Sequence, residues 1–251
     1  MTPLEQEILL GLLDSFLDDS LILEVLEVVQ GGKEATVFRC AAAPSTGQNY
    51  LAAKVYRPME RRNFRNDTVY QSGRVILSSR GRRAYAKGTD FGREVQYGLW
   101  VNAEYETQAM LYDAGADVPR PWKCNGSAIL MDWIGDDSEE GGRAAVQLRH
   151  AKPSRDEAHG LHQTLLANIE LMLRNNVVHG DLSPFNILYH GGRVWIIDFP
   201  QSVDPRSNRN AYGLLTRDIE NVCQYFAKLG VQSDPYRIAS RLWTRFLNAE
   251  L

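Results

Sequence analysis

The chain has 251 residues, 44% of them hydrophobic and 24% charged, which fits one large domain or two small lobes around a packed core and excludes wholesale disorder. Net charge is only -3, yet residues 57–93 hold ten Lys/Arg against three Asp/Glu, a local excess of seven positive charges that leaves -10 for the remainder. Cys40, Cys124 and Cys223 lack metal-ligand spacing, the N-terminus carries no basic residue before Lys33, and no apolar run approaches bilayer length. Disulfide scaffold, zinc site, signal peptide and membrane partner are therefore not expected, and a reducing, cytoplasmic location is.

In chain order, Thr2-Pro3-Leu4-Glu5 carries the signals of a helix start, with a capping residue, Pro at the first position and Glu to close the box. Leu9, Leu12, Leu13 and Phe16 share one face, predicting an amphipathic helix that ends near Leu17 and acts as a lid or brace. Leu21–Val29 reads as the first strand. Gly31-Gly32-Lys33-Glu34-Ala35-Thr36-Val37 then turns the chain into the second. Gly-Gly between strands is more often a plain turn, but glycines also let backbone N–H groups approach phosphates. Tyr50–Tyr56 is an apolar strand with Lys54 inside it. A buried ammonium needs an anionic partner unless the strand lies at an edge and the side chain reaches out to water.

Residues 57–92 form a basic insertion, read as a solvated flexible segment or as a surface for a phosphate-rich or acidic partner such as RNA; Arg74–Leu77 is strand-like. Arg93–Ala114 is predicted helical, with Gly115 as its C-cap and Leu99, Ala103 and Met110 facing the core. Glu104 is the candidate partner for Lys54, with Glu106 in reserve. The strand Ser127–Ile134 runs into a Gly/Asp/Glu-rich stretch that marks a lobe boundary. In a kinase-type arrangement this is the hinge, with Met131 at the back of the pocket and Asp132 and Ile134 offering backbone groups to an adenine edge.

Ser154-Arg155-Asp156-Glu157 is another capping box. It opens a helix with Ala158, Leu161, Leu165, Ile169 and Met172 on one face; His159 and His162 read as helix-face or core residues. That helix delivers the chain to His179-Gly180-Asp181-Leu182-Ser183-Pro184-Phe185-Asn186. Strands Asn186–Tyr189 and Arg193–Ile197 flank a Gly191-Gly192 turn, and Asp198 ends the second. The hairpin brings Asn186 and Asp198 together as oxygen ligands suited to Mg²⁺, with Asp181 left to orient a hydroxyl. An isolated His-Gly-Asp is more often a surface turn, but the ordered D-x-x-x-x-N … D set is that of phosphoryl transfer. Two more helices are expected, Arg217–Leu229 closed by Gly230, and one opened by Asp234-Pro235.

The segments GGKEATVF, AAKVYR, WVNAEYE, LMDWIGDD, VVHGDLSPFNILYHGG and IIDFPQSVD together resemble the RIO family of atypical serine/threonine protein kinases, from about Leu21 to Val231. Ser183, where ordinary protein kinases usually carry Lys, is informative. The resemblance implies an α+β, two-lobed protein-kinase-like fold: an N-terminal helix (1–20), a β-rich N-lobe (21–134) and a mainly helical C-lobe (135–251) with a shortened C-terminal part. It implies Asp181 as catalytic Asp, and Asn186 and Asp198 as ligands of Mg²⁺, with Mn²⁺ as substitute. Lys54 would anchor ATP with Glu104 as its partner. Gly31, Gly32, Lys33, Glu34, Ala35 and Val37 would form the nucleotide loop. The short N-terminal region matches the branch without a winged helix, while DFPQ resembles the metal loop of the other. Some members act as ATPases that pass phosphate to the metal-loop aspartate, which would make Asp198 a transient acceptor. Members also act in small-ribosomal-subunit maturation. The rival expectations are a small-molecule phosphotransferase of the aminoglycoside or choline kind, which shares HGD-x-x-x-x-N, and an ATP-gated RNA- or ribosome-binding module. The protein substrate is not legible.

Overall fold

The computed structural model describes residues 2–32, 34–57, 90–137 and 142–251, the side chains of residues 3 and 90–96 excepted. Lys33 and the body of the basic insertion, Arg74–Leu77 included, lie outside the described residues. The described residues divide into two compact units. One holds residues up to 57, 90–109 and the described part of 119–144; the other holds 110–118 and 145–251.

The first unit opens with α1 (Pro3–Gly11), capped at Thr2, whose hydroxyl accepts the Glu5 N–H while the Glu5 carboxylate accepts the Thr2 N–H. The single helix expected to Leu17 is two. The chain breaks after Gly11, a weak helix former, and restarts as α2 (Asp14–Asp18). The break lets Leu9, Leu13 and Phe16 all bury against the sheet that follows, so the segment is a brace.

That sheet is antiparallel, in the order β1-β2-β3-β5-β4, from β1 (Ile22–Gly31), β2 (Ala35–Ala42), β3 (Tyr50–Tyr56), β4 (Pro121–Cys124) and β5 (Ala128–Asp132). Side chains alternate between faces along each strand. On β3, Leu51, Ala53 and Val55 join the core under α1 and α2, whereas Ala52 and Tyr56 join a second cluster with Val101, Ile129 and Met131. Lys54 shares the parity of Ala52 and Tyr56. It sits on an inner strand, opposite Val37 on β2 and Ile129 on β5, which removes the edge-strand explanation for a lysine there.

Helix α3 (Asp90–Asp113) ends in Gly115 at φ +88°, where a left-handed residue closes the helix: Ala116 N–H bonds to Leu111 O. Its buried face differs from the expected one. Leu99 and Met110 are exposed, at 45% and 39%, and the buried positions are Val101, Glu104, Gln108 and Leu111. Hydrophobicity misassigned the face because two of its four residues are polar, each with a specific partner.

The second unit is built on α4 (Arg155–Arg174), where Ser154 and Glu157 form both halves of the capping box and Ala158, Leu161, Leu165, Ile169 and Met172 are buried, as the spacing predicts. His162 is buried against Phe226 and His159 is exposed. A three-stranded sheet follows, β6-β7-β8, from β6 (Val146–Gln147), β7 (Ile187–His190) and β8 (Arg193–Ile196). Helix α5 (Ala211–Ala227) starts six residues before the expected Arg217, because Ala211, Leu214 and Leu215 already belong to the core. Helix α6 (Pro235–Leu247) is capped by the Asp234 carboxylate, which accepts the Tyr236 and Arg237 N–H groups. Among the described residues no helix is long and apolar enough to cross a membrane, and all three cysteines are free.

Candidate active site

In the first unit the β1–β2 turn is tight. Gly32 N–H donates to Ala35 O at 2.8 Å, and a Cβ at Gly32 would stand 3.0 Å from that oxygen, tighter than ordinary packing. Gly31 pairs with Thr36, and Glu34 is exposed with its carbonyl accepting the Arg57 N–H. Ala35 and Val37 pack, half-buried, on the same cluster as Ala52 and Met131. Lys33 is outside the described residues.

Lys54 Nζ donates to Glu104 Oε1 at 2.7 Å, and the Glu104 side chain is 1% exposed. The other carboxylate oxygen accepts the Tyr56 hydroxyl at 2.5 Å. Tyr56 is held in turn by the Tyr97 hydroxyl, which donates to the Tyr56 carbonyl at 2.6 Å, and by the edge of Trp100. The glutamate is thus fixed at both oxygens. Lys54 thus pairs with a buried carboxylate from the middle of a sheet, its own side chain 14% exposed. Removing one member of such a pair typically costs about 3–5 kcal/mol. Glu106, the reserve partner, is exposed. Tyr56 was missed in the sequence; its signal was an aromatic hydroxyl two residues from Lys54, on the same strand face.

At the end of β5, Met131 is buried, and Gln108 Nε2 bonds Pro119 O at 2.7 Å while contacting Met131 Sδ at 3.7 Å. Asp132 N–H is committed to Arg120 O, and its carboxylate accepts the Trp122 indole N–H at 2.8 Å. Any hinge role of Asp132 therefore falls to its carbonyl. Ile134 follows, half-buried. Gly135 then bridges to Ala144, and a Cβ on it would meet Arg143 O at 2.6 Å and the Trp133 indole nitrogen at 2.7 Å.

In the second unit, Gly191 and Gly192 have φ +53° and +78°, the turn that matches strand twist in a two-residue hairpin. The ladder runs Ile187↔Ile196 and is extended by Ile197 N–H to Asn186 O at 3.0 Å. Asn186 therefore lies beside Ile197, one residue from Asp198. Asn186 Nδ2 donates to Asp181 O at 2.9 Å and Asp181 Oδ2 at 3.3 Å. The structure thus brings Asp181 and Asn186 into contact and sets Asp198 one residue beyond the Asn186–Ile197 pair of the hairpin. Asp198 has φ +73°, a left-handed conformation that costs a non-glycine residue about 1–2 kcal/mol. Strain of this kind clusters at functional positions. Because Nδ2 of Asn186 is spent on Asp181, the rest of that amide is an oxygen donor. With the Asp198 carboxylate it makes two hard oxygens, a donor set that fits Mg²⁺ completed by phosphate and water. Among the described residues no group of three or more His, Cys, Asp and Glu could hold a metal.

Three features behind this loop were not read from the sequence. His179 is buried on Phe199, with Nε2 3.2 Å from Ile197 O. A carbonyl only accepts, so Nε2 carries the proton and bare Nδ1 accepts the Asp181 N–H at 3.3 Å. One imidazole thereby ties the Asp181 loop to the Asp198 strand. Asp218, on the buried face of α5, accepts Gly180 N–H at 2.8 Å and Leu182 N–H at 2.9 Å. Burial pushes its carboxyl up to about 7, against the two N–H bonds and the Arg217 guanidinium. Arg217 donates to Gly180 O, and Asn221 Nδ2 donates to Leu182 O at 2.8 Å. The signal was Asp218 at a core-facing position of an otherwise apolar stripe.

The family model described as RIO domain matches residues 36–238. The serine/threonine-protein kinase RIO1 of Caenorhabditis elegans is 30% identical over 211 residues, 84% of this chain and 38% of that protein. RIO1 of Homo sapiens is 29% identical over 221 residues, 88% of this chain and 36% of that protein. The Rio1 kinase of Thermoplasma acidophilum is 34% identical over 140 residues, 56% of this chain and 70% of that protein. The chain thus spans about two fifths of the length of the eukaryotic RIO1 kinases it matches. Among solved structures, a Rio2 kinase–ADP/Mg²⁺–phosphoaspartate complex from Chaetomium thermophilum matches with TM-score 0.64 and 21% identity. It covers 92% of this chain and 64% of that one, a likeness that shows the α+β protein-kinase-like fold.

Proposed function

We propose a phosphoryl-transfer function from the premise that this chain belongs to the RIO family of atypical serine/threonine protein kinases. The reaction is transfer of the γ-phosphoryl group of ATP to a serine or threonine hydroxyl. The observation that carries it is the loop–hairpin set: Asp181 bonded to Asn186, with Asp198 held next along the strand by the Ile197–Asn186 pair. In this reading Lys54 binds the α and β phosphates, and Glu104 with Tyr56 fixes its direction. Gly31 to Val37 covers the phosphates, and Met131, Asp132 and Ile134 border the adenine. Asn186 and Asp198 hold Mg²⁺, which when bound neutralises developing phosphate charge. Asp181 orients the acceptor hydroxyl and takes its proton as the bond to phosphorus forms. Most of the acceleration comes from positioning and fixed charges.

A second reading follows from Asp198. Its backbone is left-handed, and the related Rio2 structure is described as a phosphoaspartate complex. In an ATPase switch, an Asp198 oxygen attacks the γ-phosphorus, ADP leaves, and water later hydrolyses the acyl-phosphate. The basic segment 57–93 is proposed to bind an RNA or ribosomal particle, and the protein to work in the cytoplasm; the first rests on charge, the second on free cysteines. Family membership weighs against the small-molecule phosphotransferase reading.

The test is to incubate the purified protein with Mg²⁺ and γ-labelled ATP, alongside Asp181→Ala and Asp198→Ala. Acid-stable label on hydroxyl residues, lost in Asp181→Ala, supports a protein kinase. Phosphate release with a hydroxylamine-sensitive label, lost in Asp198→Ala, supports the ATPase. No turnover by the wild type refutes both.

A further inference from the structure

The Asp181 loop presents one large apolar side chain to solvent. Phe185 is 50% exposed, although Leu182 and Ile187 on either side of it are fully buried. Its ring is not bare: the Arg149 guanidinium lies 4.0 Å over the centroid, and the Arg149 N–H donates to Pro184 O at 3.0 Å. The stack therefore fixes a cation and an aromatic face to the loop that carries Asp181, four residues away. Stacking of this kind leaves the outward guanidinium N–H groups to another partner.

Two further cations neighbour Arg149 along the chain. Lys152 and Arg155 are exposed on the same stretch, and Val146, 46% exposed, precedes them. No Asp or Glu occurs between residues 145 and 155. The next carboxylates are Asp156 and Glu157, and Glu157 is occupied by Ser154 and the Tyr189 hydroxyl. Among the described residues no ion pair involves Arg149, Lys152 or Arg155. The protein is acidic overall, so a cationic strip without carboxylates is a local departure.

We infer that Arg149 stacked on Phe185 is the acceptor-recognition surface of this protein, and that it selects a hydroxyl-bearing protein segment flanked by acidic residues. The inference rests on the kinase reading above and adds the substrate class to it. A carboxylate near the acceptor hydroxyl meets the Arg149 guanidinium in fork geometry, and an apolar neighbour covers Phe185. A basic residue near the acceptor is rejected by like-charge repulsion. A protein segment is favoured over RNA because a single exposed aromatic serves one side chain, whereas strand binding repeats such platforms along a groove.

The test uses two synthetic peptides with one serine, flanked either by Asp/Glu or by Lys, with wild type, Arg149→Glu and Arg149→Lys. The wild type is expected to use the acidic peptide about tenfold better in kcat/KM, with Arg149→Glu abolishing or reversing the preference and Arg149→Lys keeping part of it. Anisotropy of the labelled peptides without nucleotide gives the same ranking independently of turnover. Thermal melts check that each variant is folded. Equal use and equal binding of the two peptides by the wild type overturns the inference while leaving phosphoryl transfer intact. Absence of turnover with a retained binding preference instead counts against the kinase reading alone. Tighter binding of a labelled single-stranded RNA than of the acidic peptide, lost in Arg149→Glu, overturns the protein-segment assignment.

Discussion

Replacing Asp218 by Asn keeps the size and shape of the side chain and removes one acceptor. In the folded chain its two oxygens take the N–H groups of Gly180 at 2.8 Å and Leu182 at 2.9 Å. An amide offers one oxygen, so one of those N–H groups is left facing an NH₂. An unsatisfied buried donor costs about 1–3 kcal/mol, a factor of about 5 to 150 in a two-state equilibrium. The residue between the two donors is Asp181, so the loop that loses its anchor is the one proposed to orient the acceptor. Asp218→Asn should lower stability in urea unfolding by that amount. It should lower turnover at least tenfold and leave ATP affinity within a few-fold, since Lys54 and Glu104 lie in the other unit. A pH series adds a second readout. Burial raises the Asp218 carboxyl from its ordinary 3.8 to about 7, so within that range the folded state binds more proton than the unfolded state. Its contribution to stability is complete below the lower value and is lost as pH rises towards 7. The Asn variant carries no such proton, and its curve should lack that component of the slope. Unchanged stability, turnover and pH slope together would refute the anchoring role.

Two further substitutions probe the first unit. Tyr56→Phe deletes only the hydroxyl that donates to Glu104 Oε2, a hydrogen bond to a buried charged group worth about 1.5–3 kcal/mol. Steady-state kinetics should show a raised KM for ATP and lowered kcat in a folded protein, and wild-type kinetics would count against the positioning role. Gly135→Ala places a Cβ 2.6 Å from Arg143 O, so the backbone must move; destabilisation of about 1–3 kcal/mol is expected in denaturant unfolding, and a neutral result would show that segment to be yielding.

What could be read from the sequence was what local chemistry dictates. Capping at Thr2 and Ser154, the Gly191-Gly192 turn, the left-handed Gly115 and the strand alternation around Lys54 are decided within a few residues, and the structure has them. Pairing within the hairpin then fixes the neighbourhood of Asn186 and Asp198 without knowledge of the rest of the fold. What could not be read was decided by distant partners. The buried face of α3 was misassigned because Glu104 and Gln108 are polar until Lys54, Tyr56 and the Pro119 carbonyl are set against them. The start of α5 was misplaced, and Asp218 overlooked, because its reason for being buried lies 36 and 38 residues earlier in the chain. His179 looked like part of a motif and works as a strut, which needed the Ile197 carbonyl in place to be seen. In each case the polar residue on a core-facing position was the clue, because such a residue persists only where its hydrogen bonds are met. The same reasoning inverts for Phe185. An apolar residue left half in water beside Asp181, under a guanidinium without a carboxylate, points away from the core and towards a partner.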